Sequence, residues 1–291
     1  METTSAPAAN PTGESLLSVR DLTVTYPGRG FRAKGFTVLH GVSAELGRGR
    51  TLGLVGESGS GKSTLGRAIL GLAPVSGGSI TFDGRDISHA TRADRRRLSR
   101  DLQVVFQDPY SSLNPAMTVG DILAEPLSVQ GVGAREAQGR IVELLDHVGL
   151  PADSVDRLPR EFSGGQRQRV AIARALALRP KLIVCDEPVS ALDLSTQARV
   201  LDLLLRIQQE TGVSYLFVSH DLDVVRHISH DVAVMTGGQI VEHGPAVRVT
   251  EDPQHPYTRR LLMASPVIDP DRQAERREER RRARDDDEQA A

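Results

Sequence analysis

The chain has 291 residues, 39% of them hydrophobic, a formal net charge of −2 and one cysteine. That length and apolar content suit one domain with a sub-domain and an appendage. The near-neutral charge argues against a nucleic-acid partner, and a lone thiol excludes an intrachain disulfide, in keeping with a reducing cytoplasm.

No apolar run approaches the ~20 residues of a membrane span, and no secretion signal opens the chain. Residues 1–15, rich in Thr, Ser, Ala and Pro, read as a disordered lead. Leu17 to Val24 alternates apolar and polar residues, as a half-buried strand does, and Tyr26 closes it. A basic, glycine-rich insertion, Pro27 to Lys34, precedes Phe36. Leu16 to about Asp83 reads as an antiparallel β portion running into the apolar strand Leu52-Gly53-Leu54-Val55.

Behind that strand stands Gly56-Glu57-Ser58-Gly59-Ser60-Gly61-Lys62-Ser63-Thr64, which fits G-x-x-x-x-G-K-[ST], and then the helix-compatible stretch Leu65 to Leu72. Strand, loop and helix in that order are the context the phosphate-loop motif requires. Glycines let backbone N–H groups turn onto a polyphosphate, and the helix N-terminus adds its positive end. Lys62 then reaches the β- and γ-phosphates, and Ser63 is a Mg²⁺ ligand. The motif predicts binding of a nucleoside triphosphate.

Arg85 to Arg100 is an arginine-dense connector, either a solvated helix or a loop. Val104-Val105-Phe106-Gln107-Asp108-Pro109 follows. Asp108 to Pro180 carries helical spacing over Val119–Val129, Ala134–Val148 and Gly164–Ala177, the pattern of a helical sub-domain. Phe162-Ser163-Gly164-Gly165-Gln166 opens the last of these helices; taken alone it could be an ordinary N-cap. Lys181 to Pro188 is a short apolar run of buried-strand type that ends on Asp186 and Glu187, with Ser190-Ala191-Leu192-Asp193 close behind. Leu216-Phe217-Val218-Ser219 is a second such strand and runs into His220. Val232 to Glu242 reads as a hairpin turning at Gly237-Gly238. Cys185 reads as a small core residue. His227 and His230 lack a completing ligand set and read as surface or packing residues.

These motifs, in this order, resemble those of ATP-binding cassette (ABC) ATPases over about Leu16 to Pro266. The resemblance implies an α/β fold: a mainly parallel β/α core, an antiparallel β sub-domain and a helical sub-domain at about 108–180, together forming a cassette over residues 16–250. It implies that Asp186 holds Mg²⁺ opposite Ser63, that Glu187 is the general base, and that Gln107 senses the γ-phosphate through Mg²⁺ or the water. His220 resembles the switch histidine. Tyr26 is the choice for the adenine-stacking aromatic, with an ordinary strand-end tyrosine as the alternative. Ser163, Gly164, Gly165 and Gln166 resemble the signature that serves the ATP of the opposite subunit, and Asp193 belongs to the D-loop. Two cassettes, identical or paralogous, then clasp two ATP molecules head to tail.

Residues 251–268, from about Asp252 to Pro266, resemble the segment that ends the core of oligopeptide, dipeptide and nickel importer ATPases. Some relatives follow it with a cysteine cluster for an iron–sulfur centre; no cysteine stands there, so no such cluster is expected. Residues 269–291, with seven arginines and nine acidic residues, read as a charged disordered tail; contact with anionic lipid is the alternative. The expected partners are a second cassette, two permease subunits and, indirectly, an extracytoplasmic solute-binding protein, with the chain peripheral on the cytoplasmic face. Tyr110 and Leu113 in the Asp108–Pro115 loop are candidate permease contacts. The rival readings are a soluble ABC ATPase of DNA repair or translation and a regulatory ATP-binding cassette. A GTPase is disfavoured because no Asn-Lys-x-Asp stands in the chain.

Overall fold

The computed structural model describes residues 15–28, 35–108 and 112–264, so the first 14 residues of the expected lead and the whole charged tail lie outside it. Strand β1 (Ser15–Tyr26) begins on the last residue assigned to the lead. It pairs antiparallel with β2 (Phe36–Gly47) and β4 (Val75–Phe82), and the two-residue β5 (Arg85–Asp86) completes a four-stranded sheet in the order β2-β1-β4-β5. Alternation along β1 explains its placement: Leu17, Val19, Leu22 and Val24 are buried while Ser18, Arg20, Asp21, Thr23 and Thr25 are not, and only Leu16, at the start, is buried out of step.

A second sheet has six strands in the order β10-β9-β3-β8-β7-β6. Its members are β3 (Thr51–Val55), β6 (Leu102–Val105), β7 (Leu182–Asp186), β8 (Ser214–Ser219), β9 (Asp231–Thr236) and β10 (Gln239–Pro245). All its pairings are parallel except the β9–β10 hairpin, whose Gly237 and Gly238 take φ of 54° and 77°. Two successive positive φ values are what a tight hairpin turn demands and what glycine supplies.

Every residue of β3 and β8 is buried, as in a parallel sheet covered on both faces. The period of two divides the side chains between two cores. Leu182, Val184, Leu216 and Val218 pack toward the antiparallel sheet, with Leu65 and Ile69 of α1 (Lys62–Ile69). Ile183, Cys185, Tyr215 and Phe217 pack on the opposite side. That second core continues into a helical layer of α3 (Val119–Val129), α4 (Ala134–His147) and α5 (Gly164–Leu176). The arginine-dense connector contains the short helix α2 (Arg92–Leu98), started by a reciprocal cap between Thr91 and Asp94. The remaining helices are α6 (Leu194–Thr211), α7 (Leu222–Ile228), α8 (Ala246–Glu251) and α9 (Pro256–Ala264). Among the described residues no helix is long and apolar enough to cross a membrane.

The two sheets are also tied by charge. Asp83, in the β4–β5 turn, takes Lys181 Nζ at 2.6 Å and also pairs with Arg48. Lys181 immediately precedes β7, so this tie reaches the strand that delivers Asp186 and Glu187.

Candidate nucleotide site

The site forms beyond the carboxyl ends of β3, β7 and β8, where parallel α/β sheets place their ligands. At the end of β3 the chain turns at Gly56, where an added Cβ would stand 2.1 Å from the Met235 carbonyl oxygen. No side chain fits there, so the loop can hug β9 only with glycine. Gly61 precedes α1, the first helix after the loop. Lys62 is 4% exposed. Its ammonium donates to the carbonyls of Gly56 and Glu57 at 2.7 and 2.8 Å. Burial lowers its pKa, against the raising influence of Glu187, Asp186 and Glu57. The cation is thus held over the loop and only partly compensated.

Ser63, the next residue, donates its hydroxyl to Asp186 Oδ1 at 2.8 Å. These two oxygens fit a magnesium ion well. Octahedral Mg²⁺ with ligands at ~2.05 Å sets neighbouring oxygens about 2.9 Å apart. A site with only one carboxylate and one hydroxyl also suits Mg²⁺, which takes its other ligands from phosphate and water. Among the described residues no group of three or more His, Cys, Asp or Glu is placed to form an all-protein cage.

Glu187 sits at φ +48°, an uncommon conformation for a residue with a side chain. Its N–H donates to the Val218 carbonyl at 3.0 Å, which fixes the turn at the strand end. Its carboxylate lies 3.3 Å from His220 Nδ1, across the β7–β8 pair. The glutamate side chain is 17% exposed and the histidine 56%, so the pair opens toward solvent from a protected base. The structure thus brings Gly56–Thr64, Asp186, Glu187 and His220 to one edge.

The other predicted residues make no hydrogen bond or ion pair with that group among the described residues. Gln107 is exposed, two residues beyond Val105, which is in register with Cys185 of β7. The Ser163-Gly164-Gly165-Gln166 turn caps α5: Ser163 Oγ accepts the Gln166 N–H at 3.3 Å, and the Ser163 N–H donates to Gln166 Oε1 at 2.9 Å. Among the described residues no hydrogen bond or ion pair joins that turn to the phosphate loop. Phe162, just before it, is 4% exposed, with the Arg157 guanidinium 4.4 Å from its ring centre. Asp193 caps α6 through Ser195 Oγ at 2.7 Å and the Thr196 N–H at 3.0 Å, and the Ser195 and Thr196 bonds hold its carboxyl well below the usual range.

Tyr26 is partly buried against the antiparallel-sheet core, cross-strand from Phe36. Leu113 is 2% exposed in the helical-layer core, so its side chain packs the sub-domain and offers no docking surface. Tyr110 lies outside the described residues. His230 Nδ1 accepts the Thr51 N–H at 3.0 Å, and burial lowers its pKa, which suits a neutral packing histidine. His227 pairs with Asp202 at 3.2 Å.

One contact escaped the sequence reading. The Glu57 N–H donates to Tyr257 Oη at 3.0 Å, joining the phosphate loop to α9 across 200 positions of sequence. The His255-Pro256-Tyr257 run is distinctive, but no spacing rule relates it to a glycine loop so far away.

The family model described as "ABC transporter" matches residues 39–190, and that described as "Oligopeptide/dipeptide transporter, C-terminal region" matches 241–289. The oligopeptide transport ATP-binding protein OppD of Mycobacterium tuberculosis is 52% identical over 281 residues, which is 94% of this chain and 45% of OppD. The glutathione import ATP-binding protein GsiA of Escherichia coli K12 is 51% identical over 270 residues, 91% of this chain and 43% of GsiA. The chain therefore spans about half the length of these curated relatives. Among solved structures, cbiO1 of Clostridium perfringens, part of the ABC transporter complex cbiONQ, superposes with a TM-score of 0.74 at 29% identity, covering 82% of this chain and 91% of its own. The ATP-binding cassette MJ0796, in a dimeric post-hydrolysis state with ADP and Pi, gives 0.70 at 29% identity, covering 79% and 98%. With a family match over more than half of its length and the cassette fold around its phosphate loop, this chain belongs to the ABC transporter family.

Proposed function

We propose that this chain binds and hydrolyses ATP as the cassette subunit of a peptide-class importer, for oligopeptides, dipeptides or nickel. The observation that carries the chemistry is the convergence of Lys62, the Ser63–Asp186 pair and the Glu187–His220 pair at one sheet edge. The match over residues 241–289 and the identity to OppD and GsiA support the importer class.

In this reading Lys62 leaves the carbonyls of Gly56 and Glu57 for the β- and γ-phosphates. Ser63 and Asp186 would hold Mg²⁺, which would supply charge neutralisation to the triphosphate. Glu187 takes a proton from water as its oxygen attacks the γ-phosphorus. The bond to the β–γ bridging oxygen breaks, and its electron pair leaves with ADP. His220 steers the Glu187 carboxylate and meets the γ-phosphate, and Gln107 reports that phosphate to the helical layer. Ser163–Gln166 and Asp193 act on the ATP of a second cassette, a reading supported by their having only local capping bonds and none to this chain's own loop among the described residues. Tyr26 borders the adenine. Two permease subunits turn closure of the cassettes into alternating access, at the cytoplasmic face, for a solute delivered by an extracytoplasmic binding protein.

The test is Mg²⁺-dependent ATP hydrolysis by the purified chain beside its Glu187→Gln variant. Turnover should fall on the order of 10²–10⁴-fold, the usual cost of losing a general base, with ATP binding kept and an ATP-bound dimer accumulating in gel filtration. Wild-type turnover in the variant would refute the assignment. Solute uptake in vesicles, after co-expression with neighbouring permease genes, separates the importer from a soluble or regulatory cassette.

A further inference from the structure

Both backbone groups of Glu57 are tied. Its carbonyl accepts Lys62 Nζ at 2.8 Å, and its N–H donates to Tyr257 Oη at 3.0 Å. The first tie is one that a bound triphosphate would take away, since the same ammonium is then needed at phosphate. The second comes from outside the loop and need not break.

Tyr257 is itself firmly placed. The carboxylate of Glu242 on β10, 8% exposed, accepts the N–H of Gln254 at 2.7 Å and of His255 at 3.1 Å. Those are donors at the start of α9 that a helix cannot satisfy internally. His255 Nδ1 accepts the Tyr257 N–H at 3.2 Å. Tyr257 and Leu261, 7% and 9% exposed, are packed into the same core as β8. The phenol oxygen therefore reaches the loop from a fixed ring on an anchored helix.

We propose that Tyr257 is a positioning residue of the nucleotide site. Anchored through Glu242, it holds the Glu57 amide so that the phosphate loop keeps its shape when Lys62 gives up the loop carbonyls for phosphate. The inference rests on the reading of this loop as an ATP site. It makes the segment after β10 part of the ATP machinery, in addition to its packing on the cassette. Without nucleotide, Lys62 braces the same residue and the hydroxyl is partly redundant. With nucleotide, the Ser60 N–H still donates to the Glu57 carbonyl at 3.2 Å within the loop, and the hydroxyl is the constraint on Glu57 that comes from outside it. A tyrosine that merely packs would show no such difference.

The experiment is Tyr257→Phe in the full chain, which keeps the buried ring and removes only the acceptor. Calorimetry with Mg-ATP should show Kd raised about three- to tenfold, the range of one hydrogen bond. KM should rise with it and kcat should hold. The thermal midpoint without nucleotide should stay near wild type, and the ATP-induced rise should shrink. Glu242→Gln, a weaker acceptor for the α9 amides, should act in the same direction, and the double variant should fall short of the two effects combined. A wild-type Kd in Tyr257→Phe would overturn the proposal. So would a lowered midpoint with an unchanged ATP-induced shift. A wild-type chain that does not bind ATP would instead overturn the nucleotide reading, and this inference with it.

Discussion

Replacing Lys62 by methionine isolates the charge on the phosphate loop, because the buried aliphatic stem is kept. The ammonium now gives two bonds to neutral carbonyls, at 2.7 and 2.8 Å, and burial lowers its pKa. A bond in which charge takes part is worth about 1.5–3 kcal/mol. Taking the upper end of that range for each of two bonds to anionic phosphate oxygens, and the lower end for each of the two neutral-carbonyl bonds surrendered, leaves roughly 3 kcal/mol in favour of binding, or about 150-fold in Kd. Without nucleotide, Lys62→Met loses the carbonyl bonds but also removes a cation held partly out of water, so the unfolding midpoint should move little. Calorimetric titration with Mg-ATP, with thermal unfolding run beside it, measures both. An ATP Kd within about threefold of wild type, in a folded variant, would refute the placement of the triphosphate over this lysine.

If the α5 turn acts on the other subunit's nucleotide as proposed, Ser163→Arg should leave ATP binding to each chain within a few fold of wild type while abolishing dimer closure and hydrolysis. Unchanged ATPase would remove that role. Asp83→Asn tests the tie between the sheets. The bonds from Lys181 and then Arg48 hold the Asp83 carboxyl below its ordinary value, so its contribution is present above the unfolded carboxylate pKa and is lost as pH falls through the folded one. The variant should therefore unfold at lower urea than wild type at pH 7, and the gap should close in acid. A gap that persists at acid pH would show that the charge is not its source.

Much of the site was legible from local pattern. The phosphate loop needs its residues within nine consecutive positions, between an apolar strand and a helix, and Gly56 to Thr64 stands in that context. The α5 cap likewise depends on residues three apart, Ser163 and Gln166. Helix limits followed from spacing: Val119–Val129 is found as read, and Ala134–His147 ends one residue early. The division of Ile183 and Cys185 from Leu182 and Val184 follows from the strand period of two, but which layer each face meets does not.

The meeting of distant residues was decided by tertiary structure. Ser63 and Asp186 are 123 positions apart and touch because β8 pairs with both β3 and β7, which aligns their carboxyl ends. Nothing near either residue encodes that strand order, since parallel neighbours are joined by long crossovers. The resemblance to ABC ATPases supplied the pairing; composition and spacing could not. Leu113 shows the same limit from the other side, because its apolar character suited either a docking loop or a core, and only packing assigned it to the core. Tyr257 shows it most plainly. Its ring follows from an apolar helix face, but the bond its hydroxyl accepts from the Glu57 N–H exists because β10 turns the chain back and Glu242 pins the start of α9 beside the phosphate loop. Local sequence sets which groups can donate, accept or carry charge; the sheet order sets which of them meet.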